Sequence, residues 1–301
     1  MLESAVAFEA DALHLADDGE HVVVRRRLGQ RFETLPPLPL ALGSAVVSRV
    51  KRIAGIDPFQ RRRVQTGRCR LQVARQAIDV LVSVLPTVRG ESVSVTLRNR
   101  DRSRPTLDTL GLSERQRDAL RVALDAPTGL LVVAGPPGPS RSDTMYALLD
   151  AVDRTDRLCV LVEEASDADL PGVTQIETHA AAIDATSGFE AARQHGADVI
   201  ALADVRSTAL VRSAVEAADD RLVLVALHAD SSVAAVIRLL ELGADGHLLS
   251  ITLRASLAQR SVPLRHGDGG RTFAFQVLDG RLAERIAVGD GNGDVLSGAI
   301  V

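Results

Sequence analysis

The stretch that most constrains this chain is Gly129–Asp150, with the sequence GLLVVAGPPGPSRSDTMYALLD. An apolar run comes first, a turn rich in glycine and proline follows, and residues suited to a helix complete it. In this order, the backbone N–H groups of the turn and the dipole of the next helix can hold a polyphosphate. The stretch therefore predicts a phosphate-binding loop between a buried strand and a helix.

The turn matches only part of the phosphate-loop pattern G-x-x-x-x-G-K-[ST]. Aligned on Gly135, it keeps the first glycine and the final Ser142, with a further glycine, Gly138, between them. Ser140 stands at the second glycine position and Arg141 at the lysine position. An arginine is longer, planar and forked, whereas a lysine presents a compact charge, so this exchange is not conservative.

Other residues of the turn also act against a bound phosphate. Pro139 has no N–H to donate, and the side chain of Ser140 can crowd a phosphate. Asp143 adds a negative charge at close range. The loop is therefore predicted to bind Mg·ATP weakly or not at all. An alternative needs no nucleotide: Ser140 and Asp143 have the spacing of a capping box, and Asp143 in the first turn would complement the helix dipole.

The composition is that of an ordinary globular protein with room for about two domains. Of its 301 residues, 46% are hydrophobic and 25% charged, and the net charge of −4 gives no reason to expect nucleic acid or an anionic membrane as partner. Cys69 and Cys159 lie far apart, which favours a reducing cytoplasm. No apolar run reaches the ~18 residues of a membrane span. The N-terminus lacks a basic segment followed by an apolar run, so we expect no signal peptide.

The first of two predicted domains, residues 1–104, is a small α+β domain. Its predicted strands and one amphipathic helix are His21–Arg27, Arg70–Ala74, Ala77–Leu85 and Ser92–Leu97, with the helix at Leu40–Ile53. The polar segment Arg98–Thr109, broken by Pro105, is the expected linker.

The second predicted domain, residues 105–301, alternates strands and helices. Strands are predicted at Leu131–Ala134, Arg157–Val162, Asp198–Ala203 and Leu222–Leu227. Helices are predicted from Ser142 onwards and at Gly188–His195, Ser207–Ala218, Ser231–Leu242 and His247–Val262. This alternation predicts an α/β domain with a mostly parallel sheet, and such sheets bind ligands at the carboxyl ends of their strands.

Several short motifs, in order, resemble those of the type II secretion and type IV pilus assembly ATPases. They are RRVQTGR (62–68), VLVSVLPTVRGE (80–91), VLVEE (160–164), DVIALADVR (198–206), ALHAD (226–230) and LAQR (257–260). The resemblance covers nearly the whole chain. It implies a PAS-like N-terminal α+β domain followed by a RecA-like P-loop domain, with ATP and Mg²⁺ as cofactors.

The resemblance also assigns roles to individual residues. Catalytic roles near the attacking water, in the Walker B stretch and at the γ-phosphate would fall to Glu163, Asp204 and His228. Nucleotide contacts would come from Gly135, Gly138, Arg141, Ser142, Arg206, Arg25, Arg27 and Arg68, with Ser142 also a ligand of Mg²⁺.

Each of these roles has a structural alternative. Glu163 and Glu164 could be solvated carboxylates at a strand end, and Arg206 could form an ion pair with Asp204 or Glu163. His228 could be an ordinary hydrogen-bonding residue. Arg25, Arg27 and their neighbours could be a solvated strand face, and the lack of interleaved aromatic residues argues against nucleic acid.

The partners expected from the resemblance are further copies in a homo- or hetero-hexamer and inner-membrane platform proteins. The protein would then act in the cytoplasm or peripherally at the inner membrane, without a transmembrane segment. The segment Ser261–Gly270 contains no cysteine, so we expect no zinc module there.

Three functions remain open from the sequence. The chain could be a weak or specialised ATPase motor for pilin assembly, a pseudo-ATPase acting as scaffold or regulatory subunit, or a nucleotide sensor without turnover. Arg141 at the lysine position, together with Pro139 and Asp143, favours the pseudo-ATPase. The retained residues Ser142, Glu163, Arg206 and His228 keep the other two open.

Overall fold

The computed structural model describes residues 1–8, 10–28, 31–99, 104–136, 139–178, 183–263 and 271–279. Two compact units, Met1–Arg102 and Ser103–Val301, make up the chain; the sequence placed the division between residues 104 and 105. Each unit has its own hydrophobic core. No described helix is both long and apolar enough to cross a membrane.

The first unit is built on a six-stranded antiparallel sheet. Its elements are α1 (Leu2–Ala7), β1 (Ala12–Asp17), β2 (His21–Leu28), β3 (Arg31–Pro39), α2 (Leu40–Ile53), β4 (Gln65–Val73), β5 (Gln76–Thr87) and β6 (Gly90–Asn99). The strands lie in the order β3-β2-β1-β6-β5-β4. Alternate residues of β5 are buried, at positions 78, 80, 82 and 84, because successive side chains of a strand point to opposite faces.

Helix α2 packs closely against this sheet, and two glycines make the approach possible. A Cβ atom at Gly43 would lie 2.2 Å from Cγ2 of Val22 on β2. A Cβ atom at Gly67 on β4 would lie 2.2 Å from the carbonyl oxygen of Ala54, just after α2. Both distances are far below a van der Waals contact, so only glycine fits at these positions.

The single lysine of the chain is buried in the first unit. Lys51 lies in the last turn of α2, and its side chain is fully buried. Its Nζ donates to the carbonyl oxygen of Gln60 at 2.6 Å and to Oε1 of Glu91 at 2.7 Å. Gln65 donates to the same Gln60 carbonyl oxygen at 2.6 Å. These bonds connect α2 with β6 and with the segment that leads into β4.

The second unit is a seven-stranded sheet with helices on its faces. Its elements are α3 (Glu114–Asp125), β7 (Gly129–Ala134), α4 (Pro139–Ala151), β8 (Cys159–Glu163), β9 (Val173–Glu177), α5 (Ala185–Gln194), β10 (Val199–Leu202), α6 (Thr208–Ala217), β11 (Leu222–Leu227), α7 (Ser232–Glu241), α8 (Gly246–Thr252), β12 (Leu253–Pro263) and β13 (Arg271–Asp279). The strand order is β13-β12-β7-β11-β10-β8-β9. Neighbouring strands are parallel, except for the antiparallel pair of β12 and β13.

Alternate residues of β7 face two separate apolar clusters. Leu130 and Val132 belong to one cluster, and Leu131 and Val133 to the other. The strand is therefore buried on both faces, as expected for the centre of a parallel sheet. The predicted mixed α/β fold, with a mostly parallel sheet in the second half, is confirmed.

Two sequence predictions in this unit are wrong. The predicted helix His247–Val262 is a short helix, α8, followed by strand β12, because residues 253–263 pair with β7 and β13. The helix after the phosphate loop begins at Pro139, not at Ser142, so Ser140 lies inside α4. Ser140 therefore cannot act as the N-terminal cap of a capping box; its carbonyl oxygen instead accepts a hydrogen bond from the Thr144 hydroxyl at 3.1 Å.

Candidate functional site

Four of the predicted site residues lie at the ends of neighbouring strands. Gly135 follows β7, His228 follows β11, Asp204 comes shortly after β10, and Glu163 ends β8. These strands are adjacent and parallel in the order β7-β11-β10-β8, so the four residues share the carboxyl edge of the sheet. This is the edge at which parallel α/β sheets bind their ligands.

The backbone at Gly135 is enclosed by its neighbours. A Cβ atom there would lie 2.8 Å from Cγ of Gln259 and 3.2 Å from the Gln259 carbonyl oxygen. The Gln259 side chain is buried and accepts a hydrogen bond from the hydroxyl of Thr144 on α4. The exposed His228 ring has Nδ1 at 3.3 Å from the Gly135 carbonyl oxygen. Gln259 thus fixes the start of the loop, a role that the sequence did not suggest.

Arg141 forms a partly buried ion pair with Asp204. Its Nη2 donates to Oδ1 of Asp204 at 3.0 Å, and the Arg141 side chain is 7% exposed. The other oxygen of Asp204, Oδ2, lies 2.5 Å from Nη2 of the exposed Arg206. Both carboxylate oxygens of Asp204 are therefore held by guanidinium groups.

The charged guanidinium group of Arg141 is largely removed from water. Burial lowers the pKa of Arg141, whereas the neighbouring Asp204 acts in the opposite direction. Its Nη1 is buried and has no hydrogen-bond partner among the described residues. A buried donor without a partner carries a desolvation cost, so this nitrogen would gain from a hydrogen bond to a bound acceptor.

The contacts of these residues can be compared with those that Mg·ATP requires. A Mg²⁺ ion takes carboxylate and water oxygens in near-ideal octahedral geometry, but both oxygens of Asp204 are already bonded to arginines. No lysine stands in the loop to reach the β- and γ-phosphates. Ser142, the predicted metal ligand, lies half-buried on α4, and Gly138 lies outside the described residues. No group of three or more His, Cys, Asp or Glu side chains within the described residues is placed to hold a metal ion.

Glu163 lies in a buried hydrogen-bond network and is 4% exposed. Its Oε2 accepts from the Tyr146 hydroxyl at 2.6 Å. Its Oε1 accepts from the Ser166 hydroxyl at 2.7 Å and from Nε2 of Gln175 at 3.0 Å. The carboxylate is thus saturated by three protein donors, whereas the neighbouring Glu164 is exposed. The sequence predicted a position near an attacking water and gave no sign of the three donors.

Burial raises the pKa of Glu163, although its three hydrogen bonds act in the opposite direction and Asp167 adds to the increase. A carboxyl whose pKa is raised on folding binds its proton more tightly in the folded state than in the unfolded one. Its contribution to stability is therefore largest at low pH and falls as the pH rises towards the folded pKa.

We expect Glu163→Gln to change how the stability of the second unit depends on pH. The free energy of unfolding of the wild type, minus that of the variant, should fall as the pH rises above the ordinary glutamate value of 4.5, and should level off above the raised pKa. Urea unfolding between about pH 4 and pH 8 measures this difference. A difference that grows with pH would contradict a raised pKa.

The predicted arginines Arg25, Arg27 and Arg68 belong to the first unit. Arg25 is exposed on β2, and Arg27 and Arg68 are half-buried. Arg26, which lies between Arg25 and Arg27 in sequence, is buried. Its Nη2 lies 2.5 Å from Oε2 of Glu33, and its guanidinium carbon lies 4.0 Å from the ring centroid of Phe8. The run of three arginines is therefore divided between the two faces of the sheet. The segment on which the zinc prediction rests, Ser261–Gly270, lies mostly outside the described residues.

The parallel sheet, the glycine- and proline-rich turn between β7 and α4, and the acidic residues at the ends of β8 and β10 define a RecA-like protein of the phosphate-loop class. Two solved structures share this fold. The ATPase DotB of Legionella pneumophila has a TM-score of 0.77 with 16% identity, over 98% of this chain and 84% of that one. The pilus retraction motor PilT, solved with ADP, has a TM-score of 0.71 with 18% identity, over 98% and 87%.

The family follows from the sequence comparisons. The model of the family "Type II/IV secretion system protein" matches residues 1–277. The type II secretion system protein HxcR of Pseudomonas aeruginosa is 34% identical over 265 residues, covering 87% of this chain and 56% of that protein. The type II secretion system protein E of Pectobacterium carotovorum is 33% identical over 295 residues, covering 97% and 58%. The chain belongs to the type II/IV secretion system protein family, as its motifs predicted, and spans little more than half the length of these relatives.

Proposed function

We propose that this chain is a pseudo-ATPase of a type II secretion or type IV pilus-like assembly system, and that it serves as a scaffold or regulatory subunit. The observation that carries this proposal is the ion pair between Arg141 and Asp204. The residue at the lysine position of the loop binds the residue at the Walker B position, so neither side chain is available for Mg·ATP.

The energetics of this ion pair support the proposal. A bound metal would have to displace two guanidinium groups from Asp204, and one of them is buried. Removing one partner of a fully buried ion pair typically costs about 3–5 kcal/mol, because a buried charge is left uncompensated. That range is an upper limit here, because the Asp204 side chain is 27% exposed. Mg·ATP would meet this cost without the lysine contact that normally favours its phosphates.

Assembly and location follow by similarity and are part of the proposal. Members of such systems form rings through head-to-tail contacts that close by rotation, so we propose a homo- or hetero-hexamer. An active family member could supply hydrolysis in a mixed ring. We propose that the ring works in the cytoplasm at the inner membrane, on platform proteins of a secretion or pilus system, with no nucleic acid partner.

A second function, a sensor that binds nucleotide without turnover, is favoured by one observation. The buried Nη1 of Arg141 lacks a hydrogen-bond partner among the described residues and could donate to a phosphate oxygen. Such binding would not need Mg²⁺, because the carboxylate that would face the metal is already neutralised by Arg141 and Arg206. The active motor is the third alternative, and the same carboxylate argues against it.

Calorimetric titration of the wild type with Mg·ATP, and separately with ATP and a chelator, tests the proposal. We expect no saturable heat with Mg·ATP up to millimolar nucleotide. This corresponds to a binding free energy smaller in magnitude than about 4 kcal/mol. Saturable binding of metal-free ATP alone would identify the sensor. Binding of Mg·ATP near micromolar Kd, about 8 kcal/mol, would overturn the pseudo-ATPase and call for hydrolysis assays.

A further inference from the structure

The loop between β8 and β9, residues 164–172, here named the acidic-box loop, is held closed by its own polar groups. The Ser166 N–H donates to Oε1 of Glu177 at 2.7 Å, and the Leu170 N–H donates to Oε1 of Gln175 at 2.8 Å. Nε2 of Gln175 donates back to the Ala168 carbonyl oxygen at 2.7 Å. Two side chains of β9 therefore hold the loop in place through hydrogen bonds to its backbone.

Tyr146 on α4 joins this loop to Glu163. Its hydroxyl donates to Glu163 at 2.6 Å and accepts from the Asp167 N–H at 2.9 Å. The ring is 2% exposed. One side chain thus fastens both the end of β8 and the middle of the acidic-box loop to the helix that follows the phosphate loop.

Arg104 extends the same network to the chain segment between the two predicted domains. Its guanidinium carbon lies 4.7 Å from the ring centroid of Tyr146, and its Nη2 donates to the Asp167 carbonyl oxygen. The next residue is Pro105, and a residue before proline is restricted to extended conformations. This restriction limits the backbone conformations from which the Arg104 side chain can reach Tyr146.

We propose that Arg104 and Tyr146 form a latch that holds the acidic-box loop closed over Glu163, and that release of the Arg104 guanidinium opens it. In the closed state Glu163 is buried and saturated by protein donors. In the open state the loop can separate from α4, and the Glu163 carboxylate becomes accessible at the edge of the sheet.

One feature makes this latch suited to opening. Nη1 of Arg104 is buried and has no hydrogen-bond partner among the described residues. A buried donor without a partner is destabilising in the closed state, and the donor regains water when the guanidinium leaves. This desolvation cost partly offsets the favourable contacts of Arg104, whereas both oxygens of the Glu163 carboxylate accept hydrogen bonds.

The chain provides its own optical reporter of the latch. Tyr146 is the only tyrosine, and there is no tryptophan. Tyrosine fluorescence and absorption therefore report the surroundings of this one ring. The variant Glu163→Gln, which replaces the charged acceptor of the Tyr146 hydroxyl by a neutral one, calibrates the signal expected when that contact changes.

Hydrogen exchange of the acidic-box loop tests the latch. In Arg104→Gln we expect the amides of residues 166–170 to exchange about tenfold faster, as for the loss of one hydrogen bond to a charged group. The emission of Tyr146 should change in the same variant. The matched control is Arg254→Gln: Arg254 on β12 also donates to a backbone carbonyl, that of Thr128 before β7, at 3.0 Å, and β12 is separated from β8 by three strands. It should leave the loop amides unchanged.

A second variant tests the contribution of the backbone restriction at Arg104. Pro105→Gly keeps the guanidinium but frees the backbone of Arg104, so it should accelerate exchange of the same amides by a smaller factor. Unchanged loop exchange in Arg104→Gln, or a uniform acceleration across the whole second unit, would overturn the latch. Unchanged exchange in Pro105→Gly would overturn the contribution of this backbone restriction to the latch. No nucleotide is present in these experiments, so their outcome is independent of the proposed pseudo-ATPase function.

Discussion

A variant that carries Pro139→Ser, Ser140→Gly, Arg141→Lys and Asp143→Thr should bind Mg·ATP with a Kd of about 1 µM, measured by calorimetric titration. We expect the wild type to bind at least a thousandfold more weakly, a difference of about 4 kcal/mol. The four changes return a backbone donor, a glycine, a lysine and a neutral side chain to the phosphate loop.

Of the four substitutions, Arg141→Lys should contribute most to the gain in binding. Arginine at this position donates to Asp204 from within the protein, with its side chain 7% exposed. A lysine is a compact point charge on a flexible stem, and it can extend towards the phosphates instead of towards Asp204. The loss of the Arg141 contact would also leave Asp204 to the exposed Arg206 alone, and exposed ion pairs contribute little. One substitution therefore restores the phosphate ligand and frees the carboxylate.

The matched control is Arg206→Gln, which removes the exposed partner of Asp204 and keeps the buried one. We expect no gain of Mg·ATP binding from it, because Arg141 still occupies the carboxylate. If the fourfold variant is folded by circular dichroism and yet does not bind, the defect lies outside the loop. Binding gained by Arg206→Gln alone would show that the exposed arginine, and not Arg141, blocks the site.

Much of the second unit could be predicted because its central strands are continuous apolar runs between turns. Strands β7 and β11 are buried at every position, and the sequence predicted both close to their bounds. The prediction of a helix where β12 lies was wrong for a physical reason. The residues LRASLAQR favour helices intrinsically, but pairing with β7 and β13 overrides that preference. Strand β3 was missed because it contains Pro36 and Pro37, which a sheet tolerates at an edge strand such as this one.

The site was predicted as a set of positions but not as a set of contacts. Strand ends and motif order placed Gly135, Asp204, Glu163 and His228 on one edge of the sheet. The sequence also raised an ion pair of Arg206 with Asp204 as an alternative, and this contact is present. It did not suggest that Arg141 reaches the same carboxylate from α4, because the two residues are far apart in sequence and only the strand order brings them together.

The buried Lys51–Glu91 pair gives the largest stability effect that we expect in the first unit. Lys51→Met should lower the free energy of unfolding of this unit by about 3–5 kcal/mol, because Glu91 is left with 10% side-chain exposure and without its cation. The Gln60 carbonyl oxygen keeps one donor, Gln65, so the loss at that atom is smaller. The double variant Lys51→Met, Glu91→Leu should recover most of the stability, because no unpaired buried charge remains.

Two optical signals separate this effect from changes in the second unit. The only tyrosine, Tyr146, lies in the second unit, whereas far-ultraviolet circular dichroism reports both. In urea, Lys51→Met should shift part of the dichroism transition to lower concentration and leave the tyrosine transition in place. The matched control is Arg70→Met: Arg70 pairs with Asp79 between β4 and β5 at 2.8 Å, but its side chain is 61% exposed, so it should cost less than about 1 kcal/mol. Equal losses in the two variants would mean that burial does not strengthen the Lys51 pair, and a shift of the tyrosine transition with Lys51→Met would mean that the two units unfold together.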